Sequence, residues 1–269
     1  MKKIGLIGAG SMGGAIARGL LESGYVRAAE LAVCDPKVEA LEAVTRDWPQ
    51  VTALTSADDL AGISEMIILA VKPYLLEQVV NACADNLQDK AVVSIAAGWT
   101  ASRLAALLEP LGARWLRVMP NTPALVGEGM TALCQENTLT KAELDFARGV
   151  FDALGKTVVL PERMFDGVVA VSGSSPAYVY MLIETMADAA VREGIPWAEA
   201  FRMAAQSVLG SALMVLNTGT HPAALKDAVC SPGGTTIDAV AALEESGFRA
   251  AIFKGMKACA DKSREMGKA

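Results

Sequence analysis

The chain has 269 residues, with 24 Lys and Arg against 30 Asp and Glu, so its formal net charge is −6. Hydrophobic residues make up 52% and charged residues 20%, which describes a globular protein of one or two domains and argues against disorder. The acidic balance argues against a nucleic-acid partner, because phosphate binding needs clustered Lys and Arg. No stretch approaches the ~18 apolar residues of a membrane span, so we expect no membrane partner.

The cysteine and histidine content excludes several kinds of site. Five cysteines stand far apart without a Cys-x-x-Cys pair, which predicts neither a disulfide framework nor a zinc site. Unpaired cysteines suggest a reducing compartment, and we expect a cytoplasmic protein without metal. The single histidine, His221, argues against His-centred triads, and its place before Pro222 favours a helix start over a catalyst.

The N-terminus imitates a signal peptide, because Lys2 and Lys3 precede an uncharged run to Ala17. Five glycines lie within residues 5–14, and they would make a poor apolar helix. A strand, a tight turn and a helix N-terminus use those glycines well. We therefore expect folded structure from the first residues.

Short apolar runs alternate with helical patterns over residues 1–161, as in a parallel, doubly wound sheet. The predicted strands cover residues 3–7, 31–34, 51–54, 66–71, 91–95, 115–119, 130–134 and 157–160. The predicted helices among them cover residues 11–23, 74–84, 100–108 and 140–153. This half is expected to be an α/β domain.

Residues 162–269 are almost wholly helical and form the second predicted domain. Ser175 followed by Pro176 predicts a capped start for a helix over 177–192, which is apolar nearly all round. The next helix, 197–216, carries small residues that allow close helix approach. We infer a homodimer through this half, the alternative being a monomer that buries these helices against the first domain.

A glycine motif follows the first predicted strand and opens the first helix. Its residues, Gly8, Ala9, Gly10, Ser11, Met12 and Gly13, fit G-x-G-x-x-G. In that position the pattern predicts a Rossmann-type dinucleotide site, with helix N–H groups facing the pyrophosphate. The alternative is that the glycines only make a tight turn.

Asp35 ends the second strand, where a carboxylate accepts the ribose hydroxyls of NAD and repels a 2′-phosphate. Lys37 supplies the opposite charge two residues later, so the choice between NAD and NADP stays open. Two further segments end strands at the same sheet edge, where ligands of open sheets bind. They are Val71-Lys72-Pro73 and Ala96-Ala97-Gly98, although on position alone Lys72 is equally an ordinary solvated lysine.

The loop over residues 231–236 precedes a predicted helix, 237–245. Thr235 and Asp238 have the spacing of a helix-capping pair. The other interpretation is an anion cradle, in which paired glycines free their N–H groups and the helix N-terminus favours a carboxylate. Thr236 would then offer a hydroxyl beside the bound group.

Several segments together resemble the pyrroline-5-carboxylate reductase family over essentially the whole chain. They are Gly8-Ala9-Gly10-Ser11-Met12-Gly13-Gly14, Ala70-Val71-Lys72-Pro73, Ser94-Ile95-Ala96-Ala97-Gly98, Met119-Pro120-Asn121-Thr122-Pro123, Ser172-Gly173-Ser174-Ser175-Pro176 and Ser231-Pro232-Gly233-Gly234-Thr235-Thr236. The resemblance implies reduction of 1-pyrroline-5-carboxylate to L-proline with NADPH, NADH being possible. It implies a dinucleotide domain followed by a helical dimerisation domain, with dimers that in the family often assemble into rings.

The resemblance also assigns site residues. The implied cofactor-binding residues are Gly8, Ala9, Gly10, Ser11, Met12, Gly13, Asp35, Lys37, Val71, Lys72, Pro73, Ala96 and Ala97. The implied substrate-binding residues are Glu162, Ser231, Gly233, Gly234, Thr235 and Thr236, with the Thr236 hydroxyl facing the ring nitrogen as the catalytic group. Tyr74 and Ala57 stand where the family often has Gln and Asn, which leaves cofactor preference open.

Two other functions fit parts of the pattern. A 3-hydroxyacid dehydrogenase has a similar two-domain build, but it would want a lysine on the helix over 177–191, which has none. A non-catalytic nucleotide-binding protein is the other, and it leaves the loop over 231–236 without a use. A cyclic imine suits this chain better, because it is basic enough to protonate without a strong protein acid.

Overall fold

The computed structural model describes residues 2–268 and shows one eight-stranded sheet. The strands are β1 (Lys2–Ile7), β2 (Leu31–Cys34), β3 (Thr52–Leu54), β4 (Ser64–Leu69), β5 (Ala91–Ser94), β6 (Arg114–Met119), β7 (Gly129–Cys134) and β8 (Gly155–Leu160). Their order in the sheet is β3-β2-β1-β4-β5-β6-β7-β8. All eight predicted strands are confirmed within a few residues.

The pairing is parallel except between β6 and β7. The chain order reverses between β1 and β4, where β1 lies beside both β2 and β4. Such a reversal opens a crevice at the carboxyl ends of the strands, which is where ligands of doubly wound sheets bind. The predicted α/β class and mostly parallel sheet are therefore confirmed.

Twelve α-helices accompany the sheet within the described residues. They are α1 (Ser11–Glu22), α2 (Val38–Thr45), α3 (Ala57–Ile63), α4 (Leu76–Ala82), α5 (Ala101–Leu108), α6 (Lys141–Asp152), α7 (Phe165–Val168), α8 (Ser175–Arg192), α9 (Trp197–Thr218), α10 (Pro222–Val229), α11 (Thr235–Glu245) and α12 (Phe248–Lys268). No helix in residues 2–268 combines the length and apolar character needed to cross a bilayer.

The sheet separates two apolar cores. On one face Ile16 and Leu20 of α1 and Phe151 of α6 pack against buried strand residues. On the other face Leu60 and Leu104, from α3 and α5, belong to a second buried cluster. Strands covered on both sides are mostly apolar: every residue of β2 and β5 is buried, and Ser94 is the one polar residue among these two strands.

The described residues form two compact units. One runs through Ser174 and also includes the segment from Cys259 onward, and the other is Ser175–Ala258. The second unit is helical, and its long helices α8 and α9 pack against each other. The division of the chain into functional domains at residues 161 and 162 stays a prediction.

The helices of the second unit expose many large apolar side chains. These include Val179, Tyr180, Met181, Leu182, Met186, Trp197, Phe201, Met203, Leu209, Leu213, Met214 and Leu216. Patches of this kind mark interaction sites on soluble proteins. The surface supports self-association through this half of the chain.

The predicted cap at Ser175 is wrong. A π-helical turn, Val169–Gly173, runs directly into α8, and Ser174 already has right-handed helical dihedral angles. The Ser174 amide donates to the Val169 carbonyl at 2.8 Å, so the preceding turn satisfies it. Ser175 is therefore the first residue within α8 rather than the residue that caps it.

Candidate active site

The glycine motif forms a tight turn between β1 and α1. Gly8 has φ +100°, and a Cβ there would lie 2.6 Å from the Ala70 carbonyl oxygen. A Cβ added at Gly13 would overlap the Gly8 carbonyl oxygen, so Gly13 is what lets α1 pack on the strand. Both positions need glycine for steric reasons.

Gly10 differs from these two glycines. A Cβ added there would meet nothing within 4 Å, so the fold itself does not require glycine at this position. Gly10 is the N-cap of α1, and no side chain caps the amides of the first turn. Open space in front of uncapped amides is what a pyrophosphate needs at a helix N-terminus. The turn therefore fits a dinucleotide, and the alternative of glycines that only make a turn leaves Gly10 unexplained.

Asp35 braces this turn. Its Oδ2 accepts a hydrogen bond from the Ala9 amide at 2.8 Å, and its Oδ1 accepts one from the Lys37 amide at 2.9 Å. The carboxylate is half-buried at the end of β2, whereas the Lys37 side chain is exposed. Because a carboxylate has about four acceptor positions, Asp35 retains capacity for a ribose hydroxyl.

The ends of β4 and β5 meet beside the same edge. Trp99 donates from Nε1 to the Pro73 carbonyl oxygen at 2.9 Å, which ties the segment after β5 to the segment after β4. Ala96 is buried, Val71 and Ala97 are half-buried, and Lys72 is exposed. A cleft of about 300 Å³ lies between these segments, lined by Pro73, Tyr74, Ala97, Gly98, Trp99, Arg103 and Met266.

Glu162 belongs to a polar cluster that the sequence did not reveal. Its Oε1 forms an ion pair with Nη1 of Arg117 and accepts from the Ala101 amide at 3.0 Å, the first amide of α5. Its Oε2 accepts from Cys134 Sγ at 3.1 Å. The Arg117 guanidinium also lies 4.5 Å from the centre of the Phe165 ring. This carboxylate joins β6, β7 and α5.

Arg117 could have been noticed in the sequence, because it interrupts the apolar run of β6. Its side chain is only 8% exposed, so the charge needs a partner within the protein. Burial, followed by the nearby Glu162, raises the pKa of the Cys134 thiol far above its usual range. Cys134 is therefore a neutral hydrogen-bond donor rather than a nucleophile.

The loop from Ser231 to Gly234 makes a turn in which the Gly234 amide donates to the Ser231 carbonyl at 3.0 Å. Pro232 in the second position and Gly233, with φ +67°, in the third have the pattern of a type II turn. A Cβ added at Gly234 would overlap Ser231 Oγ. Gly233 is thus required by the turn, whereas a side chain at Gly234 would first have to displace the Ser231 hydroxyl.

The predicted capping pair of Thr235 and Asp238 is wrong. The N-cap of α11 is Gly234, Thr235 is its first helical residue, and no side chain caps the first turn. Thr236 follows at the second position and is half-buried. The first amides of α11 lack a side-chain cap, and the anion cradle at this loop stays a prediction.

The predicted helix start at His221 is confirmed. His221 is the N-cap of α10, and its Nδ1 accepts from the Ala223 amide at 3.2 Å. Pro222 occupies the first position of that helix, where its missing N–H costs nothing. Among residues 2–268, no three His, Cys, Asp or Glu side chains group in a way that could hold a metal.

Comparison with known proteins identifies relatives for both halves. Residues 162–266 match the family model described as pyrroline-5-carboxylate reductase dimerisation, and residues 3–98 match NADP oxidoreductase, coenzyme F420-dependent. The pyrroline-5-carboxylate reductase of Escherichia coli is 48% identical over 268 residues, covering 99% of both chains. The chain belongs to the pyrroline-5-carboxylate reductase family. The pyrroline-5-carboxylate reductase of Methanosarcina acetivorans is 40% identical to this chain, and the match covers 99% of this chain and 98% of the relative.

Solved structures of the family have the same fold. The pyrroline-5-carboxylate reductase of Coxiella burnetii has a TM-score of 0.91 at 30% identity, covering 100% of this chain and 99% of its own. The Plasmodium falciparum pyrroline carboxylate reductase with NADP bound has a TM-score of 0.89 at 29% identity, covering 99% and 98%. The family thus confirms the resemblance drawn from the motifs, including an oxidoreductase activity and a nicotinamide cofactor.

Proposed function

We propose that this chain reduces the ring C=N bond of 1-pyrroline-5-carboxylate and releases L-proline. This reaction is the last step of proline synthesis. Membership of the family at 48% identity over 99% of the chain carries this proposal. In the reaction a hydride adds to the ring carbon of the C=N bond while the nitrogen holds a proton. NADPH, or alternatively NADH, supplies the hydride when bound.

We assign binding of the dinucleotide to residues of the first compact unit. The uncapped amides of Ser11 and Met12 at the start of α1 face the open space at Gly10, which suits the pyrophosphate. Asp35 fixes the turn through the Ala9 amide and retains acceptor capacity toward the adenine ribose. We place the segments 71–73 and 96–97 along the remainder of the cofactor, as the resemblance implies.

The substrate needs little acid catalysis from the chain. A cyclic imine is basic and becomes an iminium by itself, so the protein mainly has to position it and bind its carboxylate. We assign the carboxylate to the loop residues Ser231, Gly233, Gly234 and Thr235, which lie at the uncapped start of α11. Thr236 is the catalytic residue, with its hydroxyl toward the ring nitrogen.

Glu162 is placed near the substrate amine by the resemblance. In this chain its carboxylate also holds Arg117 and the first amide of α5. Glu162 therefore has a structural function in addition to any contact with substrate. The two functions separate experimentally, because one changes stability and the other changes the KM for the imine.

The chain carries the dimerisation domain of its family, and the exposed apolar faces of α8 and α9 support self-association. We propose a dimer in which the partner subunit presents the loop over 231–236, and a ring of dimers as the larger assembly. The cysteines of the described residues are all free, which suits the cytoplasm as the compartment. Light scattering of the purified protein distinguishes a dimer from a ring.

The test of the reaction is the initial rate of NADPH or NADH oxidation with prepared 1-pyrroline-5-carboxylate. Thr236→Ala is expected to lower kcat about 10- to 100-fold, on the order of 1.4 to 2.7 kcal/mol. Thr236→Ser, which keeps the hydroxyl, should stay within about threefold. No oxidation by folded parent protein would refute the activity, and unchanged turnover in Thr236→Ala would remove that residue from the mechanism.

A further inference from the structure

The last ten described residues belong to the compact unit that contains the sheet. Cys259, Ser263 and Met266 lie four and three positions apart on α12, so they share one face of that helix. Each of them contacts the same unit. Cys259 Sγ donates to Ser174 Oγ at 3.2 Å, and Ser263 Oγ donates to Asp166 Oδ1 at 2.7 Å.

Asp166 anchors this end of α12 with both of its carboxylate oxygens. Oδ1 accepts from Ser263, and Oδ2 lies 3.7 Å from Nε of Arg264, which follows directly. A carboxylate held by a hydroxyl and a guanidinium on adjacent residues fixes the rotation of the helix about its axis as well as its position. The residues one turn further along are thereby placed.

Those residues reach the segment after β5. A Cβ built on Gly98 would lie 3.5 Å from Met266 Cβ and 3.6 Å from Met266 Cε, so Met266 faces Gly98 with room for one methyl group between them. A Cβ built on Gly267 would lie 3.5 Å from Thr100 Cγ2, and Thr100 caps α5. The end of α12 therefore lies beside the stretch from Ala97 to the start of α5.

Trp99 holds one end of this segment through the Pro73 carbonyl oxygen, and Met266 lies beside it at Gly98. Gly98 has φ +78°, a conformation that a side chain would disfavour, and its neighbour Ala97 offers only a methyl group. Met266 lines both clefts beside it: the one of about 300 Å³ and a second of about 250 Å³ that also includes Val169, Ser174 and Lys262. Met266 thus stands between the two clefts against Ala97 and Gly98.

We propose that Met266 is a positioning residue for the cofactor. It holds the Ala97–Gly98 backbone in the conformation that receives the cofactor, and the Asp166–Ser263 hydrogen bond holds Met266. This inference rests on the proposed function, because Ala96 and Ala97 are cofactor residues only under that proposal. The chain therefore uses its C-terminal helix to shape a site formed by its N-terminal sheet.

The test compares variants of the full-length protein in two assays. One is the KM for NADPH and kcat at saturating 1-pyrroline-5-carboxylate, and the other is equilibrium binding of NADPH without imine, followed by nicotinamide fluorescence. Met266→Ala should raise both the KM and the Kd for NADPH about fivefold and leave the KM for the imine within about twofold. Met266→Leu, which conserves volume, should stay within about twofold of the parent.

Ser263→Ala should raise the Kd about threefold, and the double variant should match Met266→Ala alone, since Ser263 acts through Met266. If the two substitutions act independently, the Kd of the double variant should rise about fifteenfold. That result would contradict the proposal that Ser263 acts through Met266. The control is Glu265→Ala, a neighbour on α12 whose side chain is 67% exposed and pairs with Lys262. It should change neither constant by more than about twofold.

An unchanged Kd for NADPH in both Met266→Ala and Ser263→Ala would overturn the proposal. If Met266→Ala does not fold, Ser263→Ala and Met266→Leu still test the proposal, because a raised Kd for NADPH is expected in Ser263→Ala and a nearly unchanged Kd in Met266→Leu. Failure of the proposed function is distinguishable, since it would abolish turnover in the parent while the fluorescence titration still reports NADPH binding. A lower kcat with unchanged NADPH constants would also contradict a positioning function.

Discussion

Replacing Glu162 by Gln is expected to destabilise the protein through Arg117. The substitution keeps the size of the side chain and one carbonyl oxygen but removes the negative charge. Arg117, whose side chain is 8% exposed, then keeps its positive charge without an anionic partner. A buried charge that loses its partner is costly, because the protein interior replaces water poorly.

The magnitude follows from the contacts. Glu162 receives two charge-assisted hydrogen bonds at Oε1, from Arg117 and from the Ala101 amide. Each loses on the order of 1 kcal/mol when the acceptor becomes neutral, so the variant should lose about 2 kcal/mol. At roughly 2 to 4 °C per kcal/mol for a chain of this size, Tm should fall by about 4 to 8 °C.

The assay is a thermal unfolding scan at one fixed protein concentration, because self-association makes Tm depend on concentration. Glu136→Gln is the matched control. Its exposed carboxylate accepts from the Glu162 amide at 2.7 Å without pairing to Arg117, so Tm should fall by less than about 2 °C. A Tm for Glu162→Gln within about 1 °C of the parent would show that the ion pair with Arg117 does not stabilise the protein by about 2 kcal/mol.

The same variant separates the two functions assigned to Glu162. A direct contact with the substrate amine predicts a higher KM for 1-pyrroline-5-carboxylate, measured well below the unfolding temperature. A purely structural function predicts a lower Tm with that KM unchanged. Both effects together indicate that the carboxylate serves the cluster and the substrate at once.

Three further predictions concern the glycine turn, the ribose site and the cysteines. Gly13→Ala should lower Tm because its Cβ overlaps the Gly8 carbonyl, whereas Gly10→Ala should leave Tm within about 2 °C and weaken NADPH binding more than about tenfold in a fluorescence titration. Asp35→Asn should lower kcat/KM with both cofactors by loosening the turn, and more with NADH, raising the NADPH/NADH ratio about fivefold; an unchanged ratio contradicts this. Burial raises the pKa of two further thiols, Cys34 and Cys83, to about 11, so iodoacetamide at pH 8 should leave both unlabelled in folded protein and label both after unfolding, as mass spectrometry would show.

The sheet could be predicted from the sequence because each strand has its own local signal. Apolar runs of four to six residues lie between helical patterns, and burial on both faces makes the signal strong. The glycine motif was equally predictable, since its steric demands are local to one turn. The structure confirms those demands at Gly8 and Gly13, where an added Cβ would clash with backbone atoms.

Errors arose where a helix start is decided by what precedes it. Ser175 followed by Pro176 has the local pattern of a cap, but the π-helical turn before it already satisfies the backbone. Thr235 and Asp238 have the right spacing for a cap, yet the helix begins one residue earlier, after Gly234. Side-chain pattern alone does not contain the dihedral angles of the residues upstream.

The cluster around Glu162 could not be predicted for a different reason. Arg117 lies within β6, Cys134 ends β7 and Glu162 follows β8, and their meeting depends on the antiparallel pairing of β6 with β7. No short-range pattern encodes that pairing. The contact of Met266 with the segment after β5 is further still from local information, because more than 160 residues separate them.

The return of α12 to the first compact unit has a consequence for biosynthesis. Residues 259–268 are synthesised after the whole of Ser175–Ala258. The nascent sheet therefore lacks Ser263 and Met266 until α12 has been made, and its contacts with them are among the longest in sequence separation. A nascent chain stalled within α12 would expose a cofactor fold whose final support has yet to be synthesised.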